Sequence, residues 1–305
     1  MGDKTDSSLP SSAAGEVSSS NRRKYIKGGT PEKIDYPTDR INNGVWTKLD
    51  NAEKDSGEKI RFGINNTKKT DGAFILYGIN FDELEKQGNI TISRNLTPFD
   101  KRVYIAVSAI YNQTGNIMSA GQIYAAMGND GKPAASHIQK IQNSLTKMGA
   151  ARIYMKSSEE VGEDMEAMNI VYKGPLLPFE QISVYINGGL SDSAIHVFRE
   201  PPLMSFAKER HQVTTISRRL LSGPLNQSES NLTLEDYLIG RIATMKRNSI
   251  KRKLLYTEIY ESCGIETKKQ RERALDKITR LLTYYRTCGW IRGYRSEKNG
   301  IVILL

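Results

Sequence analysis

Residues 267–290 read TKKQRERALDKITRLLTYYRTCGW, and their pattern decides how the rest of the chain is interpreted. Thr267 has the type of a helix cap, because its hydroxyl can accept from an orphan N–H of the first turn. Ala274, Leu275, Ile278, Leu281, Leu282 and Tyr285 then recur at spacings that gather them on one side of a helix reaching to about Thr287. Gly289 closes it. Lys268, Lys269, Gln270, Arg271, Arg273, Lys277 and Arg280 fill the positions between, so the side away from the apolar stripe is cationic.

The neighbouring segments complete a unit. Trp290–Tyr294, a turn over Ser296–Gly300 and the apolar run Ile301–Leu304 predict a hairpin. Upstream, Leu254–Cys263 predicts a short helix ended by Gly264, with Ile265–Thr267 as the turn. Before it, Leu234, Tyr237, Leu238, Ile242 and Met245 mark another helix, capped by Asn231 or Thr233. Three helices followed by a hairpin is the order of a winged helix-turn-helix.

The same order occurs earlier in the chain. Thr97 caps a helix with Pro98 at its first position and Asp100 in its first turn. Val103, Ile105, Ala106, Val107, Ala109, Ile110 and Tyr111 give that helix a broad apolar side. Ser119 caps a second, short helix, and Gly128–Pro133 is a strong turn signal. A third runs from Ala134 to about Met148, with Ile138, Ile141 and Leu145 buried and Gly149 ending it. Alternation over Ala151–Met155 and Ile170–Tyr172 predicts two strands around a Glu-rich tip. Between the two units, Ile182–Ile186 and Ala194–Phe198 read as strands joined at Asn187–Gly189, and Leu203–Arg210 and Val213–Leu221 as short helices.

The N-terminal part is different in kind. Residues 1 to about 24 are rich in Ser, Gly and Ala and cannot bury enough area to offset their ordering entropy. Residues 25–70 read as an extended arm or loosely attached layer. Ala73–Ile79 and Ile90–Ser93 are strand candidates.

Charge is unevenly distributed. From Arg199 to Leu305 there are 21 Lys or Arg against 11 Asp or Glu, whereas residues 1–198 hold 23 of each, so the whole formal excess of +10 lies in the last third. Such an asymmetry suits a polyanion, an acidic protein or an anionic membrane surface. The chain has no apolar run long enough for a membrane span and no secretion signal, which predicts a cytoplasmic protein. Cys263 and Cys288 lack metal-ligand spacing, and His137, His196 and His211 fall in separate elements, so two reduced thiols are expected and no metal. Phosphate-loop, dinucleotide, zinc-protease and nucleophile-elbow motifs are all missing, so neither catalysis nor a cofactor is expected.

The placement of the cations favours nucleic acid. In a helix-turn-helix the second helix of the pair enters the major groove. Gln270, Arg271 and Arg273 lie at its N-terminal end, where free backbone N–H groups also face phosphate, and are the candidates for base or near-base contact. Lys268 and Lys269 add charge beside them, and Lys277 and Arg280 suit the phosphate backbone. Arg292, Arg295 and Lys298 on the hairpin suit a neighbouring minor groove or flanking phosphate. The run Lys246–Lys253 supplies Lys251 and Arg252 as further phosphate contacts. The equivalent helix of the first unit carries Ser136, His137, Gln139, Lys140, Asn143 and Lys147, less basic, with His137 either solvated or on phosphate. A basic amphipathic helix is also an ordinary solvated surface; the surrounding pattern and regional charge favour DNA here.

Over residues 96–305 the arrangement resembles the tandem winged-helix initiator proteins of plasmid replication. The resemblance begins near Leu96-Thr97-Pro98-Phe99-Asp100-Lys101-Arg102-Val103 and includes the helix Lys269–Arg286 with its hairpin. It implies a first domain that mainly supports a homodimer and a second that binds repeated origin sequences in double-stranded DNA, with host replication proteins as further partners. The same contacts fit a winged-helix transcriptional regulator at an operator. The expected architecture is therefore α+β: a disordered or extended arm over 1–58, a first winged-helix domain with β extensions over 59–222, and a second winged-helix domain over 223–305.

Overall fold

A computed structural model describes residues 29–38, 45–46, 54–55, 59–63, 74–79, 96–159, 168–186, 189–248 and 252–305. Four strands come first: β1 (Lys33–Pro37), β2 (Lys54–Asp55), β3 (Lys59–Gly63) and β4 (Phe74–Ile79). Then follow α1 (Pro98–Gln113), β5 (Ile117–Met118), α2 (Ala120–Ala126), α3 (Ala135–Ala150), β6 (Ala151–Glu159), β7 (Met168–Pro175), β8 (Phe179–Ile186) and β9 (Gly189–Val197). After α4 (Pro202–Glu209) and β10 (Val213–Ser217), a single 3-10 turn over Arg218–Leu221 opens the connector. The last part is α5 (Glu229–Asn248), β11 (Lys253–Leu255), α6 (Tyr256–Ser262), α7 (Lys268–Thr287), β12 (Gly293–Glu297) and β13 (Gly300–Leu304). Helix and sheet are mixed throughout.

Among the described residues every strand pairing is antiparallel. In the N-terminal body the sheets run β2-β3-β4-β6-β7 and β5-β9-β8, with β1 paired to β10. In the C-terminal body β13 is central, in the order β11-β13-β12. The starts of α1, α2 and α7 follow their side-chain caps, whereas α3, α4 and α6 begin without one. Thr97 and Ser119 each close a capping box, with Asp100 and Gln122 returning the bond.

Several elements differ from the sequence expectation, each for a tertiary reason. The segment read as a loose arm contributes core: Ile34, Tyr36 and Trp46 are at most 1% exposed, and the Trp46 ring packs 5.2 Å from that of Tyr104. Val213–Ser217, expected to be helical, is a β-branched run that finds β1 as its partner. Leu254 and Leu255 leave the expected helix and, with Lys253, pair with β13, a long-range choice that periodicity cannot reveal. α5 starts at Glu229 instead of after Asn231 or Thr233; the Thr233 hydroxyl donates to the Glu229 carbonyl and Asn231 is buried. Gly149 does not end α3 but lies within it, and a Cβ there would sit 2.8 Å from the Phe179 ring. The expected strand Ile90–Ser93, the acidic tip from Glu160 to Glu166 and the turn at Asn187-Gly188 lie outside the described residues.

Within one continuous apolar core, α1 meets α5 through charge. Asp100, Lys101 and Arg102 follow one another near the start of α1, and all three are buried. Asp100 turns inward to Lys147 of α3, at 2.7 Å. Lys101 reaches Asp236 of α5 at 2.7 Å, and the Tyr36 hydroxyl donates to the same carboxylate. Arg102 pairs with Glu235 and donates to the Leu221 carbonyl at 2.7 Å. Burial raises the Glu235 pKa although Arg102 pulls it down, so desolvation outweighs the attraction at that carboxyl.

Two predictions follow from this geometry. Glu235→Ala leaves the Arg102 guanidinium buried beside no carboxylate and is expected to lower the unfolding free energy by about 3–5 kcal/mol in chemical denaturation. Arg102→Met/Glu235→Leu is expected to recover most of that loss, and a double variant as unstable as the single one contradicts the desolvation argument. The second concerns the turn between α2 and α3. Gly128 and Gly131 both have positive φ, +89° and +85°, yet only at Gly128 would a Cβ strike backbone, 2.7 Å from the Arg218 carbonyl oxygen. Gly128→Ala should therefore cost about 2–3 kcal/mol and Gly131→Ala about 1 kcal/mol. Equal losses would remove the close approach of the connector as the cause.

Candidate nucleic-acid interface

α7 is seated by one side and open on the other. Ala274, Ile278, Leu281, Leu282 and Tyr285 are buried, whereas Leu275, expected among them, is 38% exposed. Lys268, Lys269, Arg271, Arg273 and Arg280 are exposed, and Lys277 is half-buried. Among the described residues, Lys268, Lys269, Arg271 and Arg273 form no ion pair with a carboxylate. Glu272 and Asp276 are also exposed on this helix, so its open side is not uniformly cationic.

Gln270 is placed differently from its expected role. The Thr267 hydroxyl accepts from the Gln270 N–H at 3.3 Å, and the Gln270 side-chain carbonyl accepts from the Glu266 and Thr267 N–H groups at 3.0 and 2.9 Å. A bidentate contact to adenine needs both ends of the amide. With its oxygen held in the cap, Gln270 fixes where α7 begins and has only its NH2 group left to offer. Arg271 lies beside α6, its guanidinium 5.5 Å from the Tyr260 ring centroid. Arg280 is tied back to the connector, donating to the Pro224 carbonyl at 3.0 Å.

The hairpin β12–β13 stands against the same helix, with the Tyr294 and Thr283 hydroxyls 3.0 Å apart. Arg292 and Lys298 are exposed. Arg295 is exposed too but pairs with Glu297 at 3.0 Å, and Lys253 holds the same carboxylate at 2.8 Å. Hydrogen bonds from Lys253 and Arg295 draw the Glu297 pKa below the usual carboxylate range.

The upstream basic run divides. Lys251 lies outside the described residues and Arg252 is exposed. Lys246 sits 5.5 Å over the Trp290 ring, where partial burial lowers its pKa. Arg247 donates to Thr38 and to the His211 carbonyl at 2.9 and 3.1 Å, tying α5 to the N-terminal body. The sequence reading missed Arg219, an exposed cation in the connector whose carbonyl accepts from the Tyr284 hydroxyl of α7 at 2.5 Å. Its only signal was the pair Arg218-Arg219 inside a segment taken for helix.

In the N-terminal body the equivalent helix, α3, offers less. Ser136, His137, Gln139 and Lys140 are exposed, while Asn143 is half-buried and accepts from Gln139 at 2.9 Å. The His137 ring packs 5.1 Å from that of Tyr124. The Lys140 ammonium lies 4.0 Å over the Phe99 ring, and desolvation there lowers its pKa. Lys147 does not face outward at all: its side chain is 8% exposed and neutralised by Asp100. It leaves the set of phosphate contacts, because a buried ion pair cannot release itself to solvent without stranding its partner.

The remaining chemistry is sparse. Among the described residues no group of His, Cys, Asp and Glu could hold a metal ion, and no helix is long and apolar enough to cross a membrane. Cys263 and Cys288 are free, and burial pushes the Cys263 thiol up to about 12, far from thiolate reactivity. No family model matches the chain, and no curated protein matches it. Two crystal structures of domains 2 and 3 of RctB, one from selenomethionine derivatives, are similar to it at 12% and 13% identity. They cover 87% and 86% of this chain and 94% of their own, each with a TM-score of 0.46.

Proposed function

We propose that this chain binds double-stranded DNA sequence-specifically, with α7 in the major groove, and that it is a replication initiator of a plasmid or mobile element. One observation carries the reading. At the capped end of α7, Lys268, Lys269, Arg271 and Arg273 are exposed without carboxylate partners among the described residues, on a helix whose other side is locked into the core. An α-helix fits the major groove, and arginine presents two parallel donors to the O6 and N7 acceptors of guanine.

In this reading the C-terminal body is a winged helix, with α6 and α7 as its helix pair and β12–β13 as its wing. The succession α5, β11, α6, α7, β12, β13 and the sheet order β11-β13-β12 support it. The net charge of +10, which resides in the last third of the chain, supplies the long-range attraction to phosphate. The initiator role, with origin repeats as the target and host replication proteins as partners, rests on the resemblance over residues 96–305. A homodimer through the N-terminal body belongs to the same reading. It is supported by Ile117, Ile182 and Phe198, which are 40%, 50% and 55% exposed around the β5-β9-β8 sheet.

Purified protein footprinted on DNA from its own locus tests the proposal. Protection of spaced direct repeats is expected. Arg271→Ala/Arg273→Ala should weaken the protected site by about 2–6 kcal/mol, and Lys140→Ala by under about 1 kcal/mol. Equal, unselective affinity of the parent and the double variant for any duplex would remove the assigned role of α7.

A further inference from the structure

The exposed cations of α7 are not equally constrained. Tyr256 and Tyr260 lie one turn apart on α6, their rings stacked with centroids 6.2 Å apart and planes 14° from parallel. Both are half-buried and pack against the core. The Tyr260 carbonyl accepts from the Ile265 N–H at 2.8 Å, which pins the residue to the turn that leads into α7. Onto this backed ring comes the Arg271 guanidinium, 5.5 Å from the centroid. Gln270 and Thr267 fix the backbone immediately before it through the capping box. Arg271 is thus held from both ends: its Cα by the cap, its planar head by an aromatic face.

An exposed arginine otherwise samples many rotamers, and that freedom is lost when its fork meets two acceptors of one base. A guanidinium already resting on a ring has less to lose, because the ring's quadrupole attracts the cation and favours a limited set of orientations. Arg273 and Lys269, exposed on the same helix, have no aromatic ring contact among the described residues. We infer that Tyr260 is a positioning residue that orients Arg271 for base contact, making Arg271 the specificity-determining arginine of the helix and leaving Arg273 the less selective one. This rests on the reading of α7 as the DNA-facing helix.

The test uses the full-length protein and a short duplex that it enriches from a random-sequence pool, with a scrambled duplex as reference, both read by fluorescence anisotropy. Tyr260→Leu is expected to weaken binding of the enriched duplex about 3- to 5-fold and to leave the scrambled duplex unchanged. Tyr260→Phe keeps the ring and should match the parent. In an Arg271→Ala background, Tyr260→Leu should add nothing. A loss that persists in that background, or that falls equally on both duplexes, means the ring acts through the fold and overturns the inference; so does parent-like binding by Tyr260→Leu. A protein that enriches no duplex removes the underlying reading of α7 and this inference with it, an outcome distinct from a selective protein indifferent to Tyr260.

Discussion

Three charged side chains leave water where α1 meets α5, and a fourth is mostly covered. Lys101, Arg102 and Glu235 are at most 5% exposed, and Asp236 completes the set with a carboxylate shared between Lys101 and the Tyr36 hydroxyl. Removing an ion from water costs several kcal/mol even after relaxation, and only near-ideal partners offset that. The pairs Lys101–Asp236 and Arg102–Glu235 are satisfied together in one arrangement of α1 against α5. Any slide of α1 along α5 strands at least one of them. Apolar contact alone would tolerate neighbouring registers; buried charge does not. The connector follows from this constraint, since Gly223 passes so close to Glu235 that a Cβ there would clash with its carboxylate.

Fixing the bodies also fixes what α7 presents. The connector touches both the C-terminal end of α2, through Arg218 on the Ala125 carbonyl at 3.0 Å, and α7, through Tyr284 and Arg280. The short helix α2 and the candidate groove helix α7 are therefore braced by one segment. The two helices that the sequence singles out for groove contact, α3 and α7, are not equivalent in charge. Lys147 is consumed by Asp100 and Lys140 leans on Phe99, while the N-terminal end of α7 keeps its cations in solvent. Exposed positive charge is thus concentrated in the last third of the chain, as the charge count implies.

Local signals carried the helices well. α7 runs from Lys268 to Thr287 with Thr267 as its cap, and α1 opens at Pro98 behind Thr97, because cap chemistry and periodicity act within a few residues. Partners within a hairpin were legible, as for Ile182–Ile186 with Ala194–Val197 and for the terminal pair β12–β13, but long-range partners were not. β1 and β10 are some 180 residues apart, and nothing near Val213 announces that Lys33–Pro37 will lie beside it. The same blindness affected the candidate contacts. Lys147 reads as one more exposed lysine until Asp100 is seen beside it, and Gln270 as a base reader until its oxygen is found in the cap. A weak signal for the seam did exist, in the basic pair Lys101-Arg102 and the acidic pair Glu235-Asp236, but only the fold matches them.

Dimethyl sulfate protection on a bound duplex interrogates the central claim most directly, because the reagent methylates guanine N7 and that atom faces the major groove. The account predicts guanines shielded inside the bound region by the parent protein, and reactive again when Arg271 and Arg273 are both replaced by alanine at concentrations that restore occupancy. A bound duplex whose guanines all stay reactive, or whose shielding is indifferent to those two arginines, contradicts it.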